Sequence, residues 1–412
     1  MTNLFSAQKM QNDETITLNP EVKRAHVYFK NLDGIRFIAA SLVLLQHSFG
    51  FKAFYFEDKA AKSVFDMFFS ESGRMGVNIF FILSGFLISF LLLTEKKSTG
   101  KINYKNFYIR RILRIWPLYI GYGLFLTFFA PFIADLLGMG GGSNLSVIVV
   151  NLCFLFLFSV NYQLAFAQYN KNIFEISWSV CIEEQFYLVW PLLMDKCIRN
   201  LKKLILSMFA ISFIVRVIIC VLLPHYSNLS FSRAYDINYL MLFDKLDLFT
   251  TGLLMALLYR NKERYEDVFK KIFHPVIQII MIVLSLMYIF SIVKLSGLAL
   301  VFFDHYICDI LFGYVILSAV LKNSILNFEQ PLLKTLGKIS YGIYIFHIAV
   351  CQVVMFFFRK FLNHPESHLV YDILYPLTNM IFTCLIAYLS YRYYESFFLK
   401  RKKKFAVVLS KG

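Results

Sequence analysis

Leu32–Gly50 read LDGIRFIAASLVLLQHSFG. Ten uncharged residues separate Arg36 from His47, and the run is close to the roughly 20 residues that a helix needs to cross a bilayer. In lipid every backbone polar group must be paired, so such a run is a helix or a strand of a closed barrel. The apolar residues are continuous and do not alternate, which selects the helix. Arg36 and His47 are eleven residues apart. At about 100° per residue they share one face, and at about 1.5 Å per residue they are separated by about 16 Å along the axis.

The same pattern recurs along the chain. Apolar stretches fall at about 35–51, 76–94, 112–134, 145–160, 177–194, 203–223, 239–259, 275–293, 298–321, 335–358 and 370–394. Of the 412 residues 58% are hydrophobic and 17% charged, against about a quarter charged in soluble domains. The fold class is therefore all-α, a polytopic membrane helix bundle. Basic clusters set its sidedness by the positive-inside bias. They lie at Lys9–Lys30, Lys96–Arg111, Lys196–Lys203, Arg260–Lys271 and Lys400–Lys404. Both termini are then cytoplasmic, and the number of crossings is even. Residues 145–160 make only about 24 Å of helix, so this segment is read as partial or re-entrant. About ten transmembrane helices remain, although Arg359 and Lys360 fall on the outer side, against the bias. The organisation expected is a cytoplasmic N-terminal arm (1–30), a transmembrane domain (31–398) and a basic cytoplasmic tail (399–412).

The net charge of +16 does not mark a nucleic-acid binder, because the basic residues sit in short clusters between apolar runs. The seven cysteines are scattered, mostly within apolar runs, with no CxxC pair, so neither a metal site nor a disulfide framework is expected. The first 30 residues lack the apolar core of a cleavable signal peptide.

Ionisable residues at membrane depth are costly and are the first candidates for function. His47 is one, and histidine suits proton transfer near neutral pH. GRMGVNIFFILSGFLISF (73–90) offers Gly76, Ser84, Gly85 and Ser89, small residues that allow close helix approach. NFYIRRILRIWPLYI (106–120) puts Arg111 and Arg114 on one helical face, and the planar arginine fork suits phosphate. SWSVCIEEQFYLVWPLLM (177–194) carries Glu183 and Glu184, which point about 100° apart, so that one can face a cavity and the other a partner. FDKLDLFTTGLLMALL (243–258) carries Asp244, Lys245 and Asp247, where Lys245 can neutralise either neighbour. LGKISYGIYIFHIAV (336–350) puts Ser340, Tyr344 and His347 on one face. Each has a plain structural reading too: packing, snorkelling or an internal ion pair.

Together LDGIRFIAASLVLLQHS, GVNIFFILSGFLI, RRILRIWPLY, WSVCIEEQFYLVWP and LGKISYGIYIFH, in this order, resemble acyltransferase family 3, membrane O-acyltransferases found mostly in bacteria. The match runs from about Leu32 to Phe397. The resemblance implies transfer of an acyl group from cytoplasmic acyl-CoA, acetyl-CoA above all, to a hydroxyl of an envelope polysaccharide, lipopolysaccharide or lipid-linked sugar at the outer face of the bacterial inner membrane. It implies that His47, with Glu183 and Glu184, serves catalysis, and that Arg36, Arg111 and Arg114 bind the donor. His347, Tyr344, Asp247 and Lys245 are further cavity candidates. Two positions depart from the family's pattern. Lys245 stands where the family has arginine, and Ser396 follows Glu395 where proline is usual. The extra span and esterase-like domain of many members are not expected here. Transfer is then direct, or a separate extracytoplasmic partner completes it.

The mechanism expected is acyl-CoA docked by its phosphates on Arg111, Arg114 and Arg36, with His47 as base or as a transient acyl carrier. A carboxylate, Glu183 or Glu184, would orient the imidazole or the sugar. Two other classes fit parts of the sequence: a secondary transporter with His47, Glu183 and Asp247 as a proton relay, and a non-catalytic component of an envelope-polysaccharide assembly.

Overall fold

The computed structural model describes residues 25–56, 63–129, 131–132, 145–166, 174–362, 367–405 and 408–410. The principal helices are α1 (Leu32–Phe56), α2 (Ser72–Thr99), α3 (Tyr104–Phe128), α4 (Trp178–Cys197) and α5 (Leu201–Arg216). There follow α6 (Leu246–Arg260), α7 (Gly297–Val320), α8 (Ser340–Phe361), α9 (Tyr375–Ser390) and α10 (Ser396–Lys402). Local chemistry marks their ends. Helix α2 stops at Gly100, whose φ of 73° only glycine adopts freely, and its N–H closes on the Lys96 carbonyl. Helix α3 begins at Asn103, whose side chain caps the Asn106 amide.

The apolar core also encloses many polar and charged residues, while large apolar side chains lie on the outside. Lys52, Glu95, Arg216, Asp244, Lys245, Asp247, Asp304 and Asp309 are buried, while Leu206, Ile214, Ile280, Ile310, Ile381 and Leu385 are exposed. That inversion places the apolar face toward lipid and the costly charges toward partners within the bundle. The chain is an integral membrane protein.

Helix α2 is the axis of the bundle, lying against α1 and α6. Glycine makes both approaches. A Cβ on Gly76 would meet the Ala39 carbonyl oxygen at 2.4 Å, and one on Gly85 would meet that of Phe249 at 2.1 Å. No side chain fits either gap, so the small residues read from 73–90 do permit helix contact. The two serines of that set do something else. Ser89 accepts the Trp190 indole N–H at 2.9 Å, and Ser84 donates to Glu183. Helix α4 is fixed from the other side by Phe186 stacked on Phe249 of α6, with ring centroids 3.9 Å apart.

Among the described residues six helices are long and apolar enough to cross a membrane, or seven if the bent pair Glu266–Ile272 and Pro275–Ile289 counts as one span. This is fewer than the ten crossings expected from sequence. Two features account for part of the difference. Helix α3 has the length but carries Arg110, Arg111 and Arg114, and α6 has only 15 residues, about 22 Å. The helical stretch Glu175–Tyr226 covers 52 residues, about 78 Å, which has room for more than one passage of a core of about 30 Å. The segment read as partial forms Leu145–Phe156 and Val160–Phe166, neither long enough to cross alone. The all-α expectation holds, with a single three-residue strand pair added to it among the described residues. Ala25–Val27 pairs in parallel with Val408–Ser410, so the arm and the tail meet at one end of the bundle.

Candidate active site

One cavity of about 130 Å³ opens between α1, α2, α3, α4 and α8. Arg36 and Asp33 reach it from α1, Arg111 and Arg114 from α3, Ser84 from α2, Glu183 and Tyr187 from α4, and Ser340, Tyr341 and Tyr344 from α8. The i,i+3 spacing of Arg111 and Arg114 puts both guanidiniums on the same wall, as the sequence required.

The arginines are held differently. Arg36 is paired with Asp33 at 2.8 Å, one turn away on its own helix. The Arg111 guanidinium lies over the rings of Tyr187 and Phe107, 5.4 and 5.8 Å from their centroids, and its buried Nε has no hydrogen-bond partner among the described residues. Stacked arginine keeps its fork free for an oxyanion.

The adjacent glutamates diverge, as their 100° offset demands. Glu183 faces the cavity, and its Oε1 accepts from both the Ser84 and the Tyr187 hydroxyls. Glu184 turns away. Its Oε2 accepts the Trp116 indole N–H at 2.9 Å, and its Oε1 is buried without a partner among the described residues. Only Glu183 lines the cavity.

Beyond the cavity lie the histidines. Tyr344 lines the cavity, and its hydroxyl is shared with Ser179 at 2.5 Å and donates to the Ile176 carbonyl at 3.2 Å. One turn further along α8, His347 faces His47 of α1, with ring centroids 5.1 Å apart. His347 is fully buried, and its Nδ1 lies 2.6 Å from the Tyr344 carbonyl oxygen. A carbonyl only accepts, so Nδ1 carries the proton, and Nε2, which has no partner among the described residues, keeps its lone pair. Among the described residues neither glutamate has a hydrogen bond to either histidine, and the ring of His47 lies against that of His347.

Asp247 and Lys245 are not in this cavity. They belong to a separate buried network with Arg216. The Arg216 guanidinium donates to Asp244 at 2.7 Å, to Ser212 at 2.8 Å and to Asp247. Lys245 donates to Asp244 at 2.8 Å and lies 3.9 Å from the centroid of the Tyr239 ring. His305 stands 3.1 Å from Asp247. The sequence reading of Lys245 as the neutraliser of its neighbours holds in part, and it missed Arg216 and His305. It missed as well the Arg74–Asp304 pair and the Lys52–Asp372 pair at 2.6 Å. The signal was present: each is an ionisable residue inside or beside an apolar run. Among the described residues no group of three or more His, Cys, Asp or Glu side chains could hold a metal ion.

The cavity, its arginines and the facing histidines all lie within one region of the chain that matches a known family. Residues 29–392 match the model of acyltransferase family 3, described as an acyltransferase domain. The chain belongs to this family. It is 26% identical over 401 residues to the O-acetyltransferase OatA of Staphylococcus aureus (strain MRSA252), covering 92% of this chain and 60% of that protein. It is 30% identical over 187 residues to the peptidoglycan O-acetyltransferase OatA of Listeria monocytogenes, covering 43% of this chain and 26% of that protein. The acyltransferase-3 chain thus spans less than two thirds of the length of the curated relatives it matches. No solved structure matches it.

Proposed function

We propose that this chain is a membrane O-acyltransferase. It moves an acetyl group from cytoplasmic acetyl-CoA to a hydroxyl of an envelope carbohydrate, in the inner membrane, with both termini cytoplasmic and about ten crossings. The observation that carries this reading is the succession along one path. Arg36, Arg111 and Arg114 line the cavity, Tyr344 bounds it, and His347 and His47 stand one turn beyond.

The donor's phosphates sit on the arginines, and its thioester arm runs along the cavity toward Tyr344. His47 removes the proton of the acceptor hydroxyl as the oxygen attacks the thioester carbonyl. The tetrahedral intermediate collapses, the C–S bond breaks, and the thiolate of CoA takes the proton from His47. His347 holds the His47 ring in place. Glu183 shapes the cavity wall with Ser84 and Tyr187, and Glu184 is a structural residue. The names of the relatives support acetyl as the acyl group and a wall polymer as the acceptor.

The test is donor binding. Arg111→Lys with Arg114→Lys keeps the charge and loses the forks. Hydrogen bonds to charged groups contribute about 1.5–3 kcal/mol each, so CoA affinity in purified protein is expected to fall by at least about tenfold, with normal membrane insertion. Unchanged affinity would refute the phosphate role of the pair.

A further inference from the structure

We propose that Lys402 completes the donor site by binding the ribose 3′-phosphate of CoA. This makes the basic C-terminal helix a binding element as well as a topology signal. The inference rests on the donor reading above.

Helix α10 packs against α3, the helix that carries Arg111 and Arg114. It is pinned on both sides. Before it, the Tyr394 hydroxyl donates to the Pro117 carbonyl at 2.9 Å; after it, Arg110 Nη1 donates to the Phe405 carbonyl at 2.7 Å. Within this basic segment Lys400, Arg401, Lys403 and Lys404 are exposed, whereas Lys402 is half-buried. Its ammonium interacts electrostatically with Arg114, Arg111, Arg36 and Arg110. Lys402 lies between these two pins, alongside the 110–117 stretch of α3 that carries Arg111 and Arg114, and is not itself part of the cavity lining.

Five cations therefore gather here. The carboxylates among them are Asp33, paired with Arg36, Glu95, paired with Arg110 at 3.2 Å, Glu183, which shares the cavity with Arg111, and Glu395, which is held by Ser390 at 3.2 Å and faces Arg114. Cations held close together in a poorly screened mouth repel one another. A ligand with several phosphates relieves that repulsion. CoA presents a diphosphate, which suits the forks of Arg111 and Arg114, and a separate monophosphate on the ribose. A lysine ammonium is a compact point charge suited to a monophosphate. Lys402 lies outside the cavity lining, and the ribose 3′-phosphate is the phosphate at the nucleotide end, remote from the thioester arm.

The experiment measures binding of CoA and of 3′-dephospho-CoA to the purified full chain in lipid nanodiscs by calorimetry. The wild type is expected to bind CoA about 10-fold or more tightly than dephospho-CoA. Lys402→Ala is expected to weaken CoA binding by about the same factor and to leave dephospho-CoA binding unchanged, which also shows that the site is folded. Lys402→Arg is expected to retain the preference, and the exposed control Lys400→Ala to bind as wild type. Equal losses for both ligands in Lys402→Ala, or a retained preference, would overturn the assignment of Lys402 while leaving the arginine site standing. Failure of the wild type to bind either ligand would overturn the donor reading itself and this inference with it.

Discussion

His47 and His347 face each other across the contact of α1 with α8, ring centroids 5.1 Å apart, and the Tyr344 carbonyl fixes which nitrogen of His347 carries the proton. In the proposed mechanism His347 acts through His47 as a positioning residue. His347→Gln is expected to lower the turnover of acetyl transfer by about 10- to 100-fold, less than loss of a general base, which is typically about 10²–10⁴-fold. The KM for acetyl-CoA is expected to stay near its wild-type value, because the arginines are untouched. A risen KM with unchanged kcat would place His347 in donor binding instead.

The two glutamates separate by what they face. Glu183 lines the cavity and accepts two hydroxyls, whereas Glu184 accepts only from Trp116 among the described residues. Glu183→Gln puts an amide where two hydroxyls donate, and steady-state kinetics are expected to show transfer reduced at least about tenfold. Glu184→Gln keeps the indole bond and gives its buried second atom a neutral charge. Its transfer is expected to stay within about fivefold of wild type, since a single neutral hydrogen bond contributes only about 1 kcal/mol. Equal losses in the two variants would mean that the divergence of the pair has no catalytic meaning.

Arg216 compensates Asp244 and Asp247 in a site only 1% exposed. Removing one partner of a buried ionic network leaves an uncompensated charge and costs about 3–5 kcal/mol. Arg216→Leu is expected to lower the thermal unfolding midpoint in detergent by several degrees or to abolish expression. Arg216→Leu combined with Asp247→Asn is expected to recover part of the loss. A single variant as stable as wild type would show that the network is not structural.

Much of this was legible in the sequence, for physical reasons. The helical face shared by Arg111 and Arg114, the divergence of Glu183 from Glu184 and the small residues of α2 follow from helical periodicity alone. Helix pairing did not. Nothing local in the sequence says that His47 meets His347, about 300 residues away, or that Arg216 gathers Asp244, Asp247 and His305. Lys245 and Asp247 looked like cavity residues because depth in the membrane was readable and azimuth was not. The expected ten crossings exceed the six or seven helices among the described residues that are long and apolar enough to cross. Hydropathy sees apolar length, and α6 is short while α3 carries its arginines inside its span.

In the proposed mechanism His47 is the base of an acyl transfer fed from the arginine cavity. It is tested by reconstituting the protein in proteoliposomes, supplying acetyl-labelled acetyl-CoA to the face bearing the termini, and measuring label on a carbohydrate acceptor at the other face. His47→Gln preserves size and some hydrogen bonding but has no base, so label transfer is expected to fall by about 10²–10⁴-fold with unchanged CoA binding and a monodisperse protein. Near-wild-type transfer by well-folded His47→Gln protein would contradict the account.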